Sequence, residues 1–145
     1  MNDAIGMVRE VLEAQRLAVL ATRGGHVPHT SLVAFVVTAD LARIVFATTR
    51  ATRKYRNISE DARVALLIDN ARNSDTDFRD AIAITAIGSA MEVASADRDR
   101  LLASYLQRHP ALVEFVSSPT CALMCVEVDK YDVVYRFQNV MEVYM

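Results

Sequence analysis

Short apolar runs separated by turn-forming residues occupy most of the chain and predict a mainly β protein. The runs LAVLAT (17–22) and PHTSLVAFVV (28–37) flank Gly24 and Gly25, and a Gly-Gly pair between two β-like runs is typical of a hairpin turn. A third strand is predicted at ARIVFAT (42–48). The remaining predicted strands are VALLID (64–69), AIAITAIGSAMEV (81–93), CALMCVEV (121–128) and YDVVYRFQNVMEVY (131–144).

Helical spacing of apolar residues indicates helices at the start and in the second half of the chain. Residues 3–14 follow a candidate capping residue, Asn2 or Asp3. Ser95 is a candidate cap for a helix that continues to about Arg108. Two further helical segments are predicted at 52–61 and, after Pro110, at 111–116, whereas residues 70–80 have turn composition throughout.

The order of these elements favours an antiparallel barrel with α-helices packed outside it. The predicted strands outnumber the helices and do not alternate with them, so a parallel sheet built from βαβ units is disfavoured. With 145 residues, the chain is expected to form one domain over residues 1–145.

Both faces of the second predicted strand are apolar, although only one face of a barrel strand looks inward. The outer face therefore needs a cover, which either a helix or a second subunit could supply. The high apolar fraction of the chain, 52%, favours contact with a second subunit. The two sets of side chains are Ser31, Val33, Phe35 and Val37 on one face and Leu32, Ala34 and Val36 on the other.

The net charge, the N-terminal segment and the lengths of the apolar runs argue against three classes of protein. A net charge of −2 argues against a nucleic-acid-binding protein, which would carry a basic excess. The acidic N-terminal segment lacks the bases and the apolar region of a signal peptide, and no run approaches the ~18 apolar residues of a membrane span. A cytoplasmic protein without a membrane or nucleic-acid partner is expected.

Metal and disulfide chemistry is not expected. Cys121 and Cys125 lie four residues apart in a predicted strand, roughly 13 Å from each other, which is too far for a disulfide bond. They are interpreted as small buried residues. Asp75 and Asp77 lie in a polar loop and are interpreted as solvated acids, so no metal site is predicted.

The segment TTRATRKYR (48–56) has the composition of an anion site. Four of the sixteen basic residues of the chain fall within 50–56. If Thr52 caps the helix that follows, Arg53 and Lys54 lie in its first turn, where free N–H groups and the helix dipole also attract an anion. Hydroxyl groups of the threonines add donors, which suits a phosphate monoester. The alternative interpretation is a solvated basic turn.

The segment IVFATTRATRKYRNISEDARVALLID (44–69) resembles the pyridoxamine 5′-phosphate oxidase-like family of flavin-binding split barrels. In it a strand ends in Thr, an Arg-Lys pair follows five residues later, and a helix leads into another apolar strand. Weaker support comes from three further segments, VPHTSLVAFVV (27–37), AITAIGSAMEV (83–93) and YLQRHPALVEF (105–115).

The resemblance implies an antiparallel split β-barrel with flanking α-helices that binds flavin mononucleotide (FMN). It implies a homodimer with the cofactor in a cleft between the subunits. Thr48, Arg53 and Lys54 would bind the flavin phosphate, and Thr49 and Thr52 would supply further hydrogen bonds to it. Backbone groups around Ser31, Leu32 and Val33 would face the polar edge of the flavin ring.

The chain departs from true pyridoxamine phosphate oxidases in its second strand, which lacks their Arg and Lys, and in its C-terminal segment, NVMEVYM. A short relative with another activity is therefore expected. The leading hypothesis is an FMN-dependent oxidoreductase that acts on a small acceptor, and its catalytic residues are not assigned. The alternatives are a deazaflavin-dependent reductase and a non-catalytic flavin or haem module that carries or senses.

Three other residues have two interpretations each. His26 and His29 are candidate haem ligands or proton donors, or else ordinary turn and surface residues. Gly88, inside a predicted strand, indicates either barrel curvature or clearance for a cofactor.

Overall fold

The computed structural model describes residues 3–145 and shows a mainly antiparallel β-barrel with flanking helices, which confirms the predicted fold class. The strand order is β3-β2-β1-β4-β5-β6-β7, and an additional pairing of β3 with β6 closes six of the strands into a barrel. The strands are β1 (Leu17–Gly24), β2 (Val27–Val37), β3 (Arg43–Thr49), β4 (Arg63–Asp69), β5 (Ile82–Glu92), β6 (Cys121–Tyr135) and β7 (Asn139–Tyr144).

The last two strands differ from the prediction. Residues 121–135 form one continuous strand instead of breaking near Asp129, and the hairpin turn lies at Arg136 and Phe137. Both turn residues have positive φ, 48° and 72°, without a glycine to mark the position. The first half of β6 pairs with β3 and the second half with β7, so this long strand joins the barrel to the terminal hairpin.

Four of the five α-helices among the described residues lie close to their predicted positions, whereas residues 77–80, which were predicted as turn, form a short helix. The cap of the longest helix is Ala94 instead of the predicted Ser95, whose hydroxyl makes no capping bond. Asp3 occupies the N-cap of the first helix without a side-chain cap bond, and Asn2 lies outside the described residues. The helices are α1 (Ala4–Ala14), α2 (Arg53–Glu60), α3 (Asp77–Asp80), α4 (Ser95–Arg108) and α5 (Val113–Ser117), with a 3₁₀ turn at Pro110–Leu112.

None of the helices within residues 3–145 is long and apolar enough to cross a membrane.

Two apolar clusters bury the two faces of the sheet. The larger cluster fills the barrel and includes Val33 and Phe35 of β2. The smaller cluster lies outside the barrel, where α4 covers Ala34 and Val36. A helix therefore supplies part of the cover that the two-sided strand requires. Leu32, on the same outer face, remains 64% exposed.

The smaller cluster also contains the two cysteines. Both thiols are free and buried, as predicted. They pack with Leu101 and Tyr105 of α4 and with Val116 of α5.

Gly88 lies at a β-bulge between β5 and β6. A Cβ at this position would lie 2.0 Å from the carbonyl oxygen of Glu127. The glycine therefore allows two backbones to approach, which favours the structural interpretation of this residue over cofactor clearance.

The pairing of β2 with β3 is short. It is restricted to Phe35–Val37, whereas β1 pairs with Val27–Ala34. Among the described residues, the segment 27–34 consequently has no strand partner on the side away from β1. This opening is the split in the barrel wall.

Candidate functional site

The turn between β3 and α2 is held by a compact network of threonine hydroxyls. The Thr52 hydroxyl lies 3.0 Å from the carbonyl oxygen of Thr49 and accepts from the backbone N–H of Tyr55, which confirms Thr52 as the N-cap. The Thr48 hydroxyl lies 2.8 Å from the Thr52 hydroxyl and 3.1 Å from the same carbonyl. The protons of both hydroxyls are thus used inside the turn.

Several donors at this turn have no partner among the described residues. The Thr49 hydroxyl is one, and the backbone N–H groups of Arg53 and Lys54 are two more. Such first-turn N–H groups point out of the helix end and carry its positive dipole. The turn therefore presents a hydroxyl and two amides to any anion placed beside it.

The charges at the start of α2 are unbalanced. The first turn contains no acidic residue, and neither Arg53 nor Lys54 forms an ion pair within residues 3–145. Arg50 differs, because it is paired with Glu92 at 2.9 Å. Of the basic cluster, Arg53 and Lys54 are therefore the cations nearest the helix start that remain available to a ligand.

A cleft of about 370 Å³ lies against this turn. Its volume falls in the range of about 300–1,000 Å³ that is usual for small-molecule sites. The outer side of β2 forms one wall, and α4 and the segment after it form the other. The lining residues are Leu32, Val33, Ala34, Ala47, Thr48, Thr49, Thr52, Lys54, Tyr105, Leu112 and Phe115.

The structure brings six of the eight predicted site residues together in this cleft, and two lie just outside it. Ser31 lies between His29 and Val33 on the inward-facing side of β2, and its buried hydroxyl has no hydrogen-bond partner among the described residues. Arg53 is exposed at the first position of α2, next to Lys54. The six that line the cleft are Leu32, Val33, Thr48, Thr49, Thr52 and Lys54.

Sequence reasoning missed the far wall of the cleft. Tyr105 is fully buried there, and its hydroxyl donates to the carbonyl oxygen of Ala34 at 3.2 Å. Burial raises the pKa of Tyr105 to about 12, so the phenol stays neutral at ordinary pH. Leu112 and Phe115 complete the wall. These residues lie within YLQRHPALVEF, but no local pattern distinguishes their role from ordinary packing.

The histidines lie away from the cleft lining. His26 is exposed at the β1–β2 turn, and His29 lies on the same side of β2 as Ser31. His109 is buried, with its Nε2 atom 2.7 Å from the carbonyl oxygen of Phe35. Among the residues described as lining the cleft there is no histidine, cysteine or methionine.

Known proteins of the same fold include cofactor-binding ones. A heme-binding protein from Mycobacterium smegmatis superimposes with a TM-score of 0.89 at 15% identity, over 99% of this chain and 59% of that one. The chain thus spans less than two thirds of the length of that relative. A FAD-binding protein from Mesorhizobium loti has a TM-score of 0.72 at 12% identity, over 91% and 94% of the two chains.

A third similar structure is a Clostridium acetobutylicum protein related to general stress protein 26, of the pyridoxinephosphate oxidase family. It has a TM-score of 0.74 at 12% identity, over 97% of this chain and 94% of that one. Identities this low establish the fold alone. Comparison with curated protein sequences gave no match.

The family model for pyridoxamine 5′-phosphate oxidase matches residues 6–135, which include every strand of the barrel and both walls of the cleft. The chain therefore belongs to the pyridoxamine 5′-phosphate oxidase family.

Proposed function

We propose that the cleft binds FMN, with the phosphate at the start of α2 and the flavin ring along β2. Thr48, Thr49 and Thr52 line the phosphate end together with Lys54, and Arg53 adds a second cation from the neighbouring position. The ring would lie along Ser31–Val33, with Leu32 and Val33 in contact with it.

One observation carries this proposal: a single cleft joins an apolar strand to an unneutralised anion-binding turn. The apolar wall suits an aromatic ring, and the free hydroxyl, amides and cation suit a phosphate monoester. A carboxylate would use fewer of these donors. The residues present therefore fit a phosphorylated aromatic cofactor.

The open edge of β2 supports the placement of the ring. The N–H of Phe35 donates to the carbonyl oxygen of Arg16, towards β1. Because successive residues of a strand point their polar groups to opposite edges, those of Leu32 point to the opening where β3 no longer pairs. They are thus available to the polar edge of a flavin.

We further propose that the protein is a homodimer with the cofactor at the subunit interface. Val19 lies opposite Leu32 on one neighbouring strand and opposite Leu67 on the other, so the three side chains form a row on the outer face. Leu32 is 64% exposed and Leu67 is 40% exposed. Since Leu32 belongs both to this apolar face and to the cleft, a subunit packed on the face would also border the cofactor.

The activity we propose is that of a flavin-dependent oxidoreductase with a small, unidentified acceptor. The flavin supplies the electron-transfer chemistry when bound, and the protein supplies binding and orientation. The hydrogen bond from the Tyr105 hydroxyl to the carbonyl oxygen of Ala34 joins α4 to β2 at the cleft. The wall beside the ring contributes no charged side chain in Leu32–Ala34.

A haem-binding module is the second candidate, because the Mycobacterium smegmatis protein with a similar structure is described as a heme-binding protein. The usual axial ligands of haem are His, Cys, Met or Tyr. Of these, the residues described as lining the cleft include only Tyr105, whose hydroxyl is already bonded. A haem would therefore need a ligand from elsewhere, such as His26 or His29. A deazaflavin is the other alternative.

The decisive experiment is an absorption spectrum of the purified protein, followed by extraction of the cofactor and mass spectrometry. FMN gives a two-band flavin spectrum and the mass of the monophosphate. A Soret band would assign haem instead, and a deazaflavin mass would assign the third alternative. If the protein carries no chromophore and takes up none of the three on titration, the proposal is wrong.

A further inference from the structure

Glu92 binds the turn between β3 and α2 from the side away from the cleft. Both of its carboxylate oxygens accept from the Arg50 guanidinium, at 3.2 and 2.9 Å. The Tyr55 hydroxyl donates to the same carboxylate at 2.7 Å. Arg50 precedes α2 and Tyr55 lies in its first turn, so one carboxylate joins the turn to the helix start. Glu92 itself is the last residue of β5.

Arg50 also connects this turn to the segment before β6. Its guanidinium donates to the carbonyl oxygen of Pro119 at 3.1 Å, and its backbone N–H donates to that of Thr120 at 3.0 Å. Arg50 therefore bonds to two separate parts of the chain, the end of β5 and the segment before β6, while lying between Thr49 and Thr52 in sequence.

The Glu92 network and the cleft lie on different sides of the turn. Tyr55 and Glu92 line a separate depression of about 180 Å³, which shares no lining residue with the cleft. Arg50 does not line the cleft either. Any influence of these groups on a ligand in the cleft must therefore pass through the position of the turn.

We propose that Glu92 is a positioning residue for the phosphate: by holding Arg50 and Tyr55, it fixes the turn so that the Thr49 hydroxyl and the free N–H groups of Arg53 and Lys54 converge on one point. This inference rests on the proposed function and adds a specific role to it. It also gives Arg50 a role different from that of Arg53 and Lys54, since its charge is neutralised by Glu92.

Because this ion pair is exposed, an effect of Glu92 on phosphate binding can be distinguished from an effect on folding. The Arg50 and Glu92 side chains are 43% and 40% exposed. Exposed pairs contribute little to folding. A loss of Glu92 should therefore leave the fold intact while the donors of the turn lose their common alignment. The expected change lies in the recognition of phosphate.

The experiment compares the dissociation constants of FMN and riboflavin for Glu92→Ala, Arg50→Ala and the double variant. The riboflavin constant divided by the FMN constant isolates the phosphate contribution. Each single variant is expected to reduce this ratio by at least about fivefold, the lower end of typical coupling between sites. The double variant should be no worse than either single one, because the two residues act through one interaction. Glu92→Gln is a milder version should Glu92→Ala unfold.

The chain offers a matched control in Glu142. Its carboxylate accepts from the Lys130 ammonium at 2.6 Å and from the Tyr144 hydroxyl at 3.2 Å, so it binds one cation and one phenol, as Glu92 does. It lies in β7, away from the cleft. Glu142→Ala should leave the riboflavin-to-FMN ratio unchanged.

Three results would overturn the inference. One is an unchanged ratio in the Glu92 variants. Another is tighter FMN binding after Glu92→Ala together with weaker binding after Arg50→Ala, which would make Arg50 a direct phosphate ligand that Glu92 restrains. The third is an equal effect in the Glu142 control. A wild-type protein that does not distinguish FMN from riboflavin would instead contradict the proposed function.

Discussion

The hydroxyl oxygens of Thr48 and Thr52 lie 2.8 Å apart across the turn that ends β3 and begins α2. One is the last fully buried residue of its strand, and the other is the N-cap of the helix. Their contact joins the end of the barrel wall to the start of the helix that presents Arg53 and Lys54.

Thr52→Ala should destabilise the fold by about 1 kcal/mol, the usual cost of losing an N-cap hydroxyl. It also leaves the Thr48 hydroxyl without its neighbour. Thr52→Ser keeps the hydroxyl and should remain close to wild type. Urea unfolding of the three proteins measures the effect, and a Thr52→Ala midpoint equal to that of wild type would contradict the capping role.

Replacing Arg53 and Lys54 together by Ala should weaken FMN binding at least about a hundredfold, because each charge-assisted bond contributes about 1.5–3 kcal/mol. Riboflavin, which has no phosphate, should be affected much less. Arg56→Ala is the matched control: it removes an exposed cation from the same helix, three residues after Arg53. Equal losses for both ligands in calorimetric titration would show that the pair acts on folding instead.

The apolar row on the outer face should assemble two chains at micromolar concentration. Light scattering is expected to give twice the chain mass of 16.1 kDa. Leu67→Arg should shift the mass towards that of a monomer and weaken FMN binding, since the second subunit would border the cleft. Val140→Arg, at another exposed apolar residue in β7, should do neither. A monomer that binds FMN with full affinity at every concentration would rule out the shared cleft.

The stability of the fold should rise with pH through the acidic range. Among the described residues, five carboxyl groups have a pKa below the ordinary value: Asp40 beside the Thr38 hydroxyl, Asp61 beside Arg63, Asp77 under the N–H of Arg72, Glu92 beside Arg50, and Glu142 beside Lys130. Unfolding returns them to ordinary values, so the unfolded chain binds more protons below about pH 5. Their stabilising effect is therefore complete above that pH and is lost as the pH falls.

Urea midpoints measured over that range should increase and then become flat above about pH 5. Asp77→Asn should reduce the slope, because Asp77 accepts from the backbone N–H groups of Arg72 and Ser74. A stability that is constant, or that falls as the pH rises from the acid side, would contradict this assignment.

Reduced nicotinamides should bleach the bound flavin slowly in the absence of oxygen. The β2 wall, Leu32–Ala34, is apolar and offers no positive charge to stabilise an anionic reduced ring. A quinone or another small acceptor should restore the band. If NADH and NADPH both leave the band unchanged while dithionite bleaches it at once, the protein is a binding module rather than an oxidoreductase.

Local patterns in the sequence predicted most of the strands, because a short apolar run and the turn residues that bound it involve only a few neighbouring residues. The failure at β6 has a local cause. The two predicted strands leave out Asp129 and Lys130, but Lys130 lies in the continuous strand and pairs with Asp132 and Glu142. The true turn at Arg136 and Phe137 has positive φ without the Gly or Asn that usually marks it.

The residues of the candidate site were also predictable only where they are close to one another in sequence. That Thr48, Thr49, Thr52 and Lys54 lie together was predictable, because they are close in sequence. The far wall was not, because Tyr105 and Phe115 reach the cleft through packing of α4 and α5 against a distant strand. Arg50 and Glu92 are 42 positions apart in sequence, so the sequence did not show that Glu92 neutralises one of the basic residues of the cluster.

The two cysteines under α4 give the protein an internal reporter of motion. Cys121 is 4% exposed and Cys125 is 7% exposed, and burial raises the pKa of both thiols. Cys125 borders a small surface depression beside Leu101, whereas Cys121 packs with Leu101 and Tyr105 of α4. A thiol reagent should therefore reach Cys121 only when α4 lifts from the sheet, since the thiolate must form and be accessible. The labelling rate of Cys121 then measures how often the helix undocks. Because Tyr105 of the same helix forms part of one wall of the cleft, a ligand bound there should slow the labelling.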